Sequence, residues 1–255
     1  MLFFGCCLLF FPLQQTAAQN AFEEGKRWYE QRAAQADSFR ADPNNIQKAI
    51  RAFEKALSRQ THTRQAAIWL LRSYYFKGMF TGLDEKQQQA TFDRGKELGE
   101  RMMQQFPKSV PIKFWYSANA GRWADVHGFW PAATDGISKK LRNVSREIIR
   151  LDSTYEGGGG YRILAQVHFY SPNIPFVMGW PSDEKALQLV QKAVSIAPEH
   201  PSNLLLHAQL LLEFDRTDEA REQLNAIVRQ QPRANHLVED RYVQYRARRL
   251  LQQNL

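Results

Sequence analysis

The chain has 255 residues and a formal net charge of +8, with 44% hydrophobic and 24% charged residues. That balance excludes a disordered chain and leaves length for one large core or a stack of helical hairpins. Both cysteines, Cys6 and Cys7, lie in the first apolar stretch, so the rest of the chain has no disulfide framework and no thiolate metal site.

The chain opens MLFFGCCLLFFPLQQTAAQN. Leu2–Leu13 is uncharged and apolar, but shorter than the roughly 20 residues a bilayer span needs. Thr16-Ala17-Ala18 places small residues before a cut after Ala18. We therefore expect a cleaved signal peptide over residues 1–18 and an exported domain over 19–255, periplasmic or secreted. No Lys or Arg precedes the apolar run, a departure from the usual signal. Phe3-Phe4-Gly5-Cys6 is similar to a lipoprotein signal, but the apolar run follows that cysteine, which argues against a lipid anchor. The positive excess reads as a solvated basic surface open to an acidic partner or anionic lipid. No dense Lys/Arg run marks a nucleic-acid interface.

Beyond residue 20 the apolar spacing predicts helices in pairs. Phe22–Phe39 pairs with Asn45–Arg59, capped by Asn44 or Asn45. Arg64–Phe80 pairs with Glu85–Phe106, Pro111–His127 with Ala132–Leu151, Tyr161–Tyr170 with Asp183–Ala197, and Ser202–Phe214 with Thr217–Gln230. His236–Gln253 is left as a cap over the terminal apolar face. Ala186, Val190, Ala193 and Pro198 recur 34 residues later as Ala220, Leu224, Ile227 and Pro232. The period, and the order small, large, small, proline, resemble the second helix of a tetratricopeptide (TPR) repeat. Upstream the beat stretches: Trp69, Trp115 and Tyr161 are each 46 residues apart, as are Lys77, Trp123 and Phe169. The expected fold is all-α, a TPR-like helical-hairpin solenoid of about five units with a C-terminal capping helix.

Two connections break the regularity. Glu156 and Gly157–Gly160 read as a turn that lets two helices meet closely. A phosphate cradle would need a preceding strand and a following Lys-Ser/Thr, and neither is present. Ser171–Ser182 carries three prolines with Ile174, Phe176, Val177, Met178 and Trp180. A connection that apolar is expected to form a flap over a pocket or a partner surface.

Catalytic patterns are missing: no G-x-S-x-G, H-E-x-x-H, phosphate loop or C-x-x-C occurs. Asp125 and His127, two apart, point to different sides of a helix. Asn143-Val144-Ser145 is a glycosylation sequon by chance, inside a helix. The reading is no enzyme, no cofactor and no metal. The aromatic residues are core by default. Phe114, Trp115 and Tyr116 are consecutive, however, so they cannot all face one core. Trp115, Tyr116, Trp123, Tyr161, Phe176, Met178 and Trp180 are the candidate ligand- or partner-binding residues.

KSVPIKFWYSANAGRWADVHG, Lys108–Gly128, resembles the T component linked to TRAP transporters and, more distantly, the regulator-of-microtubule-dynamics family. GGGGYRILAQVHFYSPNIP, EKALQLVQKAVSIAP and Asn203–Ala208 extend the likeness to the T component over about half the chain. The resemblance implies a periplasmic all-helical protein that forms a trimer around a pore. It also implies pairing with a periplasmic ligand-binding subunit and handling of a small or hydrophobic ligand. It supplies no catalytic residue. The expected role is that of an exported binding protein; a generic TPR interaction scaffold in the cell envelope is the alternative.

Overall fold

The computed structural model describes residues 11–60, 62–171 and 180–254. Twelve α-helices and one short 3-10 turn follow one another, and the described residues form no strand. They are α1 (Phe11–Glu30), α2 (Pro43–Ser58), α3 (Thr63–Phe80), α4 (Glu85–Gln105), α5 (Val110–His127), α6 (Phe129–Asp135), α7 (Ile137–Leu151), α8 (Tyr155–Tyr170), α9 (Asp183–Ile196), α10 (Pro201–Glu213), α11 (Thr217–Arg229) and α12 (Leu237–Asn254). Consecutive helices pack as hairpins, α1 on α2, α3 on α4, α5 on α7, α8 on α9 and α10 on α11. The fold is thus the five-unit helical-hairpin solenoid with a terminal cap that the periodicity predicts.

The register lies where the repeat puts it. Ala186, Val190 and Ala193 are fully buried, and so are Ala220, Leu224 and Ile227. Ala49, Phe53 and Ala56 occupy the same places in α2. The stretched early units come from longer helices: α3 and α4 have 18 and 21 residues, against 13 each for α10 and α11. Where two helices must touch, the large residue is replaced by glycine. A side chain at Gly99 would meet Tyr116 Cδ2 at 2.7 Å, so α4 lies directly on the α5 ring.

Helix ends differ from the expected ones in four places. Helix α1 runs from Phe11 through the expected cut after Ala18, and it stops at Glu30, not Phe39. Arg32 ends it: its guanidinium reaches back to the Tyr29 carbonyl at 3.2 Å, and Gln35 and Ser38 then take left-handed conformations. The α2 cap is Asp42, whose carboxylate accepts from the Asn44 N–H at 2.7 Å with Pro43 at the first helical position. The single helix expected over Ala132–Leu151 is broken at Gly136, which sits at φ 66° between α6 and α7. The glycine run is a left-handed kink at the start of α8, with Glu156, Gly157 and Gly158 at φ 50°, 62° and 79°. A side chain at Gly158 would lie 3.0 Å from the Ala193 backbone, and one at Gly160 would lie 2.8 Å from Ile148. This is the close helix approach expected of those glycines.

The terminal helix also reaches the other end of the chain. On one side, Val243 and Ala247 pack on the α10–α11 core. On the other, Val238 joins the core of α1–α3, and Tyr242 packs beside it. Arg32 bonds Glu239 at 2.8 Å and the Asn235 carbonyl. Phe39 stands 4.6 Å from the Tyr245 ring and 5.7 Å from Tyr242. The solenoid is therefore closed into a ring by its own last helix.

Candidate functional site: the interior cavity

Closing the ring leaves a partly open cavity of about 530 Å³ on its inner side. Its wall comes from the first helix of every hairpin, α1, α3, α5, α8 and α10, together with the start of α7 and the closing α12. Among the described residues, α2, α4, α9 and α11 contribute nothing to it. This follows from the hairpin geometry: the second helices cover the outer side, which leaves one face of each first helix turned inward.

The wall mixes aromatic and aliphatic side chains with charged ones. Tyr75, Phe76, Phe114 and Trp115 belong to its apolar part, with Phe114 and Trp115 edge to face at 5.2 Å. Arg122 pairs with Asp125 at 2.8 Å. Burial opposes the Arg122 charge, but Tyr75, Asp125 and Tyr242 together hold its pKa above the ordinary arginine range. Arg233 holds Asp240 through two bonds of 2.8 and 2.7 Å. Arg72 lies over Trp69 and Trp115, 4.8 and 5.1 Å from the ring centres, and its Nε is buried without a partner.

Arg162 is the most constrained of these cations. It is only 8% exposed, and it donates to Asn203 Oδ1 at 2.6 Å and to the Glu156 carbonyl at 3.3 Å. Burial pulls its pKa down to about 10, and Arg233 adds to the fall, against support from Glu156 and Tyr75. Asn203 is fully buried and also donates to the Gly157 and Ala193 carbonyls, both at 2.9 Å. It thereby ties the α8 kink to the end of α9 and the start of α10. His200 lines the same corner, its pKa pushed down to about 3 by burial and by Arg162 and Arg233.

Of the candidates read from sequence, Trp115 lines this cavity. Tyr116, the next residue, is fully buried on the opposite side against α4. Trp123 donates its indole N–H to Asp93 at 2.7 Å and stacks near His127, itself 3.0 Å from the same carboxylate. Tyr161 packs against the α8–α9 core. Trp180 stands edge-on to His168 at 5.3 Å beneath the Arg142 guanidinium, 4.6 Å away. Phe176 and Met178, with most of the Ser171–Ser182 connection, lie outside the described residues, as does the start of the expected signal peptide. The structure thus places the five described candidates in separate surroundings. Asp125 and His127 turn to different partners, Arg122 and Asp93, as expected for residues two apart.

Arg72, Arg122, Glu156, Arg162, Arg233 and Asn203 were not among those candidates. The available signal was a single arginine in each of two largely apolar stretches, Arg72 in AAIWLLRSYYF and Arg162 in YRILAQVHF. No His–carboxylate hydrogen bond lies in the cavity among the described residues. His236 and Glu239 are 3.9 Å apart, and Glu239 is already held by Arg32. The described residues contain no cluster of His, Cys, Asp and Glu fit for a metal ion, and no helix long and apolar enough to cross a membrane.

The closed stack of hairpins defines a TPR-like solenoid, and comparison with known proteins agrees. The tetratricopeptide repeat family matches residues 184–238, which span α9 to the start of α12. The chain is similar in structure to TTC0263, a thermophilic TPR protein of Thermus thermophilus, with TM-score 0.64 and 17% identity, covering 92% of this chain and 100% of that one. It is also similar to the MamA protein, with TM-score 0.50 and 12% identity, covering 94% and 96%. At these identities the likeness is one of fold. No curated protein matches the chain by sequence. TPR repeats generally mediate protein–protein interactions, and proteins built from them are typically non-enzymatic.

Proposed function

We propose that this chain is an exported, non-enzymatic TPR-like binding protein that holds its ligand or partner in the interior cavity. The supporting observation is the inner wall of first helices, where aromatic rings and arginines line one cavity. The particular role is that of an accessory component of a TRAP-type system, working with a periplasmic ligand-binding subunit. The likeness of Lys108–Gly128 and Gly157–Pro198 to the T component supports it. The second reading, a generic interaction scaffold of the cell envelope, is favoured by the polar, arginine-rich part of the wall, since a purely apolar ligand gains nothing from it.

Two measurements test this. Mass spectrometry of the protein from its source should find Gln19 at the N-terminus; an intact Met1 in the cytoplasm contradicts export. Titration with the purified TRAP-type ligand-binding subunit of the same genome should give saturable binding. No binding there, with capture of other envelope proteins that a cavity variant abolishes, would select the scaffold reading.

A further inference from the structure

The charges around the cavity do not cancel on the side lined by Arg72 and Arg162. Four carboxylates line the wall: Asp125, Glu156, Glu239 and Asp240. Three are taken, Asp125 by Arg122, Asp240 by Arg233 and Glu239 by Arg32. The fourth, Glu156, makes no ion pair within 4 Å among the described residues, yet its charge acts on both Arg72 and Arg162. One carboxylate thus serves two guanidinium groups. These two flank the same aromatic pair, Arg72 5.1 Å from Trp115 and Arg162 5.9 Å from Phe114.

A buried cation with only neutral acceptors is costly to keep. Arg162 is in that position, bonded to an amide oxygen and a backbone carbonyl. Arg72 lines the same wall, its guanidinium beside the Trp69 and Trp115 rings, with no carboxylate within ion-pair distance among the described residues. Two guanidinium groups lining a cavity without a carboxylate bonded to either leave room for an acceptor from outside the chain. Arginine suits a carboxylate or a phosphate, which it binds through parallel N–H bonds.

We propose that the cavity binds a small organic anion. Its carboxylate or phosphate lies between Arg72 and Arg162, and its apolar or aromatic body lies along Phe114, Trp115 and Tyr75. A volume of about 530 Å³ suits a ligand of that size. Glu156 is the charge that keeps the two arginines tolerable when the cavity holds no anion, and it competes with the ligand.

This inference rests on the cavity being the working site, and calorimetry on the full chain separates the two. The probes are phenylacetate, phenyl phosphate, phenethylamine, and the tripeptide Ala-Ala-Phe beside its C-terminal amide. The two small anions should bind, and phenethylamine should bind at least about tenfold more weakly. Arg162→Gln should weaken the anions at least about tenfold. Glu156→Gln should tighten them several-fold, a gain that a merely structural glutamate would not give; this variant carries the test if Arg162→Gln does not fold. Equal affinity for acid and amine, or no gain in Glu156→Gln, overturns the anion site. Tighter binding of the tripeptide acid than of either small anion overturns the small-molecule class. If charge preference is absent but filling the cavity with Gly121→Trp still abolishes partner binding, the anion fails and the cavity reading stands. If Gly121→Trp changes nothing, both fail.

Discussion

Asn203 meets its surroundings with both ends of its amide. Its Nδ2 serves two backbone carbonyls, Gly157 and Ala193, and its Oδ1 takes a hydrogen bond from Arg162. All of this is out of water, so each group left without a partner costs its desolvation. We expect Asn203→Ala to lose about 2–4 kcal/mol in chemical denaturation, far more than its few atoms of packing would suggest. Less than about 0.5 kcal/mol would show that these bonds are not what holds α8, α9 and α10 together. The residue stands in a stretch that resembles the T component, but nothing in its spacing announces a hub. Its three partners are brought to one point only by the packing of the helices.

At the scale of elements, glycine separates tight contacts from open wall. Gly99 and Gly121 both lie inside long helices, where glycine costs backbone entropy. A side chain at Gly99 would collide with Tyr116 at 2.7 Å, while one at Gly121 would meet nothing within 4 Å and would point into the cavity region. Gly121→Ala should therefore gain about 0.5–1 kcal/mol, and Gly99→Ala should lose about 1–3 kcal/mol by overpacking. Thermal melts of the pair decide; the same shift in both would contradict the placement of α5. The helices themselves were largely legible in the sequence, because the 34-residue beat of Ala186 and Ala220 is a packing rule that recurs. The ends were less so. Gly136 breaks a helix at φ 66°, and Arg32 stops one while bonded to Glu239, 207 residues away. The first is one residue's conformation and the second is tertiary, so neither leaves a periodic trace.

For the whole molecule, ring closure is what turns a solenoid's inner face into a cavity. That the last helix would cover a terminal apolar face follows from the repeat. That it would also insert Val238 into the first hairpin's core does not, since contact between chain ends depends on the accumulated turn of all five units. The fold also buries histidines, two of which, His200 and His236, line the cavity. His168, His200, His207 and His236 all have pKa values lowered, with burial the largest cause in each. A histidine depressed in the folded state takes up protons more readily when unfolded. Its stabilising contribution is full above the free value, about 6.5, and is lost as pH falls toward the folded value, about 3 for His200. The melting temperature should therefore fall from pH 7 to pH 4, and less steeply in His200→Gln. A profile that is flat over this range, or equally steep in the variant, would contradict the buried neutral histidine.

The central claim is that the ring works from the inside. Gly121→Trp tests it most directly, because the position faces open space and the substitution fills the cavity while leaving Arg72 and Arg162 in the chain. Titration of this variant with the purified ligand-binding subunit and with phenylacetate should show both bindings weakened at least tenfold, on the order of 1.4 kcal/mol or more, with the unfolding midpoint at or above that of the unaltered chain. Undiminished binding of the subunit and of phenylacetate by a folded Gly121→Trp protein would place the working surface on the outside of the ring.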